Sequence, residues 1–201
     1  MKKIVSMLLS VVMLCSVTAG LNLTAYAAET GDWSDTIKYS YDEDTCELTL
    51  SGQGVLTYSD SFRENFSEKD VRSVVIQEGI TSISNGVFAC EDDSFYGDLQ
   101  SVTLPKGLLS IGNYAFSYCT SLSSIIIPNS VTTIGDYAFD WCWLDEITLS
   151  DGLVTIGEGA FEGCSLTKVN IPKTVKKIGD NAFSGDFLSV VTVSYTHLTL
   201  P

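Results

Sequence analysis

"LSSIIIPNSVTTIGDYAFDWCW", residues 122–143, is followed and preceded by near-copies of itself. The same letters return in phase in "LQSVTLPKGLLSIGNYAFSYC" from Leu99, "LDEITLSDGLVTIGEGAFEGC" from Leu144 and "LTKVNIPKTVKKIGDNAFSGD" from Leu166. A looser copy, "VRSVVIQEGITSISNGVFAC", starts at Val71, and a stub starts at Leu188. The phenylalanines fall at 88, 116, 139, 161 and 183, so the period settles to 22 residues once the acidic insertion "EDDSFYGD" at 91–98 is passed. Self-similarity at such a period marks a stack of supersecondary units, each too small to bury its own apolar face.

Inside a unit the first half alternates. Val102 with Leu104, Ile125 with Ile127, Ile147 with Leu149 and Val169 with Ile171 give the period-two signal of a short half-buried strand. Pro105, Pro128 and Pro172 close three of these strands, because proline has no amide to donate to the next ladder bond. In the second half Gly112, Gly135, Gly157 and Gly179 follow an inward isoleucine and are expected to open a tight corner. A short helical or 3₁₀ turn is expected at the Ala-Phe pair that comes next. The predicted fold is therefore a repeat solenoid of five full coils and a stub over 71–192, with one short parallel strand and one short helical turn per coil. Stacked coils bury Phe88, Phe116, Phe139, Phe161 and Phe183 against one another at the spacing of paired strands. An open end needs a cover, and residues 28–70 supply a small β-rich N-terminal cap: "TIKYSYD" and "CELTLSG" read as two strands joined at "DEDT", with "SFRENFSEKD" following as a short helix.

The unit L-x-x-V/I-x-I/L-P, then V/L-x-x-I-G-x-x-A-F-x-x-C, resembles the repeat of the BspA-like bacterial leucine-rich repeat proteins. The resemblance covers 71–192, and "CELTLSGQGVL" at 46–56 is similar to a segment that precedes the repeats in that class. It implies leucine-rich repeat coils on a secreted or cell-surface protein that adheres to host matrix proteins, glycans or other cells.

The two ends carry their own messages. Lys2 and Lys3, the apolar run from Ile4 to Val17 and the small-residue site Ala25-Tyr26-Ala27 read as a signal peptide over 1–27. The closing "VSYTHLTLP", 193–201, breaks the repeat and matches a translated sequencing adapter, so the natural chain is expected to continue beyond residue 192. Formal charge is −14, and loss of Lys2 and Lys3 with the signal would make it −16. Such a chain repels phosphate backbones, and its basic residues are not clustered, so nucleic acid is not an expected partner. No apolar segment after residue 27 approaches membrane-spanning length, so no transmembrane segment is expected in the mature chain.

Catalytic chemistry finds no foothold. His197 is the sole histidine and lies in the adapter-like tail, leaving a serine or cysteine nucleophile without a base. The acids are scattered over exposed repeat positions rather than paired, and no C-x-x-C spacing suggests zinc. Neither a catalytic residue nor a metal or cofactor site is expected. Cys90, Cys119, Cys142 and Cys164 occupy one slot of successive coils, filled by Asp186 in the last, and read as a buried ladder of small apolar side chains.

What remains is a binding face. The residues between the inward ones on each strand point outward and align from coil to coil: Arg72 and Val75, Gln100 and Thr103, Ser124 and Ile126, Glu146 and Thr148, Lys168 and Asn170. A shallow, mostly small and polar surface of this kind suits an extracellular protein or glycan ligand better than a small molecule. The expected function is a secreted or cell-surface binding module. The alternatives are a targeting arm for an exported enzyme whose catalytic domain lies beyond residue 192, and a spacer.

Overall fold

The computed structural model describes residues 28–60, 69–90 and 98–193. The signal expected at 1–27, most of the helix expected at 61–70, most of the acidic insertion and the tail after residue 193 lie outside the described residues.

Alternation builds the N-terminal strands as the residues require. Strands β1 (Glu29–Asp32), β2 (Ile37–Asp42) and β3 (Glu47–Gly52) form an antiparallel meander whose inward Ile37, Tyr41, Leu48 and Leu50 are buried. The β2–β3 turn is tied by Asp42, whose Oδ1 accepts from the amides of Asp44 and Thr45 at 2.9 and 3.1 Å. On its other edge β3 pairs in parallel with β5 (Ser73–Ile76), Leu48 opposite Val74 and Leu50 opposite Ile76. The ladder extends to β7 (Ser101–Thr103), and the later coils add two further parallel pairs on the same side of the stack, β9 (Ser124–Ile126) with β11 (Glu146–Thr148) and β13 (Lys168–Ile171) with β15 (Val190–Val193). The segment from Glu47 to Leu56 is thus already a coil of the stack.

Each coil carries two strands where one was expected. A second parallel ladder runs through β4 (Gly54–Leu56), β6 (Ile80–Ile83), β8 (Ser110–Ile111), β10 (Thr133–Ile134), β12 (Thr155–Ile156) and β14 (Lys177–Ile178). The helical turn expected at Ala-Phe is absent from the described coils, and the hydrogen bonds give the reason. The amide of Phe88 donates to the Ala115 carbonyl, Phe116 to Ala138, Phe139 to Ala160 and Phe161 to Ala182, at 2.8 to 2.9 Å. Amides committed to the neighbouring coil cannot close helical bonds within their own. Three side chains add to this stitching: Asn85, Asn113 and Asp136 each accept, through Oδ1, an amide of the following coil at 2.9 Å.

The repeated glycines also act otherwise than expected. Gly157 is not in the left-handed region; instead a Cβ there would lie 2.5 Å from the Asp136 nitrogen and the Gly135 carbonyl carbon of the coil beneath. It permits close stacking rather than a corner. Down the axis, Phe88, Phe116, Phe139, Phe161 and Phe183 stack with ring centroids 5.1 to 5.4 Å apart, the first four fully buried. The single core runs from Trp33 and Ile37 to Ala182.

Candidate functional site

The cysteines line the core beside the phenylalanines. Cys119, Cys142 and Cys164 donate their thiols to the carbonyls of Phe88, Phe116 and Phe139 at 3.3, 2.9 and 3.2 Å, while Cys90 and Cys119 bring their sulfurs to 3.1 Å. Burial pushes the Cys119 and Cys164 thiols well up, which suppresses the thiolate that a nucleophile needs. Among the described residues no group of three His, Cys, Asp or Glu side chains can hold a metal ion, and no helix is long and apolar enough to cross a membrane.

Asp186 breaks the ladder. Its Oδ1 accepts the Leu166 amide at 3.3 Å, but Oδ2 is buried without a hydrogen-bond partner, and burial lifts the carboxyl to about 7. A carboxyl whose folded pKa lies above its unfolded value of about 3.9 contributes stability below that value, and the contribution is lost as pH rises towards 7. Asp186→Asn should therefore raise the melting temperature at pH 8 and leave it nearly unchanged at pH 4. Equal shifts at the two pH values, or none at pH 8, would show that the carboxyl ionises freely in the fold.

The strand face comes next. Thr103, Ser124, Ile126, Glu146, Thr148, Lys168 and Asn170 all project to solvent from β7, β9, β11 and β13, and Ile126 is 73% exposed. Registers Ser124↔Glu146 and Ile126↔Thr148 align them between β9 and β11, and Lys168↔Val190 and Asn170↔Thr192 between β13 and β15. Four of them, Glu146, Thr148, Lys168 and Asn170, line a shallow depression of about 450 Å³ that extends to Val190 and Thr192. Arg72, Val75 and Gln100 lie on the earlier coils at β5 and before β7, outside the depression. Arg72 is held by Asp70 at 2.6 Å and Val75 is half-buried.

A second exposed feature escaped the sequence reading. In the four coils from Leu99 on, two residues near Ala-Phe take left-handed backbone: Tyr114 and Tyr118, Tyr137 and Trp141, then Gly159 and Gly163, then Asn181 and Gly185. Tyr114 stacks on Tyr137 at 5.2 Å, and Tyr118 on Trp141 at 6.4 Å. Tyr137 donates to Glu158 Oε1 at 2.8 Å. Trp141 lies over Gly163, where a Cβ would meet its indole at 3.1 Å. Past Gly163 a groove of about 410 Å³ opens between Trp141, Trp143 and Phe187. The letters that announce it are the aromatics in "NYAFSYC" and "DYAFDWCW", which break the polar pattern expected of exposed repeat positions.

Comparison with known proteins fits this geometry. A family model described as BspA type leucine rich repeat region matches six copies over residues 60–189. Among solved structures, a leucine-rich repeat protein from Eubacterium ventriosum is similar at 27% identity and a TM-score of 0.67, over 84% of this chain and 45% of that one. One from Bacteroides ovatus is similar at 26% identity and 0.52, over 79% and 40%. The pneumococcal vaccine antigen PcpA shares the fold at 20% identity and 0.57, over 81% and 49%. The chain therefore spans less than half the length of each. No curated protein matches.

Proposed function

From the premise that this chain belongs to the BspA-type leucine-rich repeat family, we propose that it is a secreted or cell-surface module that holds an extracellular protein against its strand face. One observation carries the reading. The outward residues of β11 and of the registered pair β13 and β15 border an open depression lined by both charges of Glu146 and Lys168, yet these two do not close into an ion pair. Both remain available to a ligand. Broad, shallow and mixed in polarity, this surface suits a protein contact. The leader-like residues 1–27 support export, and the four buried ladder cysteines serve packing in place of catalysis.

The test replaces Thr103, Ile126 and Thr148 together by arginine and measures binding to a panel of extracellular matrix proteins. Leu109→Arg with Thr132→Arg, exposed and outside this face, serves as control. Binding should fall about tenfold in the first variant and hold in the second. Unchanged binding by a folded triple variant would move the contact off the strands; glycan binding without protein binding would change the ligand class.

A further inference from the structure

The groove between Trp141, Trp143 and Phe187 has no role in the strand-face reading, and its composition is specific. The three aromatics are 50%, 59% and 73% exposed, a condition that costs apolar surface to water. Trp141 in addition holds a φ of 52°, where Gly163 and Gly185 occupy the same slot in the next two coils without that strain. Trp143 and Phe187 fill one slot of coils two apart, with the small Ser165 between them. At the coil spacing seen in the phenylalanine stack, the two walls stand about 10 Å apart.

Glu162 joins these walls, and no Lys or Arg lines the groove. The buried Asp140 stands near enough for the Glu162 charge to add to desolvation in lifting its carboxyl to about 6. The site thus combines aromatic rings with crowded negative charge in a chain of net charge −14. A cation midway between walls about 10 Å apart lies about 5 Å from each, inside the reach of a cation–π contact, and would also relieve the carboxylates. A neutral sugar could stack on the rings but would leave the charge uncompensated.

We propose that this groove is a second binding site, which takes an arginine or lysine side chain presented by a basic segment of a partner protein. The aromatics supply the walls, Gly163 and Gly185 the floor, and Glu162 the counter-charge.

The experiment titrates the full chain with hexa-arginine, hexaglutamate and cellohexaose peptides or sugars, following tryptophan fluorescence and equilibrium binding. Hexa-arginine should bind, quench the emission and weaken with added salt. Trp143→Ala and Phe187→Ala, both at exposed positions, should each weaken it about tenfold, and Glu162→Gln should weaken it too. Asp151→Asn, exposed and lining neither the groove nor the strand-face depression, removes the same charge elsewhere and should leave binding unchanged. Equal losses in Glu162→Gln and Asp151→Asn, or hexa-arginine binding indifferent to Trp143→Ala, would reduce the effect to diffuse attraction and overturn the site. Cellohexaose binding in place of hexa-arginine would overturn it in favour of a glycan.

Discussion

Phe139→Ala should destabilise the protein by about 3 to 5 kcal/mol, the range for deleting a buried aromatic ring. Phe139 is fully buried, with Phe116 at 5.2 Å on one side and Phe161 at 5.4 Å on the other, both rings nearly parallel to it. Its backbone is stitched to the next coil through the hydrogen bond its amide donates to the Ala160 carbonyl, so the surroundings cannot collapse freely into the space left by the ring. Because each coil touches only its neighbours, the loss falls on both interfaces at once. Phe183→Ala makes the comparison: that ring is half-buried and stacks on one side among the described residues, so its removal should cost clearly less. Urea unfolding of the two variants beside the parent decides the matter. A cost below about 1 kcal/mol at Phe139 would mean that the ring column is not what holds the coils together.

Gly157→Val is expected to be at least as severe as the usual overpacking penalty, about 3 kcal/mol or more. The atoms a Cβ would meet are the backbone nitrogen of Asp136 and the carbonyl carbon of Gly135, both at 2.5 Å, and neither can swing aside as a side chain could. The coil must lift. Two bonds then go with it: the Gly157 amide to Ile134, and the Glu158 amide to Asp136 Oδ1, each 2.9 Å. Gly107→Ala is the control, because its Cβ would meet only the flexible end of Glu78 at 3.6 Å. Amide exchange should show protection lost at the strands flanking residue 157 and kept at β2 and β3. Full protection throughout would show that the coils tolerate a wider spacing.

Much of this architecture was legible in the letters, for a reason specific to stacked coils. When the same slot recurs, one burial decision is written five times, so the alternation of Ile125 with Ile127 and the phase of the phenylalanines survive local noise. The second ladder was not legible, since strands as short as Thr133–Ile134 are below the length at which alternation differs from chance. Nor was the lack of a helix at Ala-Phe, because a local pattern cannot say that an amide will be claimed by another coil. Gly157 illustrates the same gap: the letter announces a constraint without telling a positive φ from a close approach. The aromatic groove needed two further facts, that residues two after Phe and one after Cys share an edge, and that glycine leaves the floor open.

The acidic insertion gives the architecture its asymmetry. The first full coil is 28 residues from phenylalanine to phenylalanine and the later ones 22 or 23, yet β5 meets β7 in unbroken register, Ser73 on Ser101 and Val75 on Thr103. Closing the longer loop costs about 0.2 kcal/mol more in chain entropy. Added length after Cys90 is thus nearly neutral, whereas a few added carbons at Gly157 are not. Variation can therefore accumulate outward at the corners of the coils, while the thickness of a coil stays under strict limit, and novelty in such a molecule is gained by elaborating its rim.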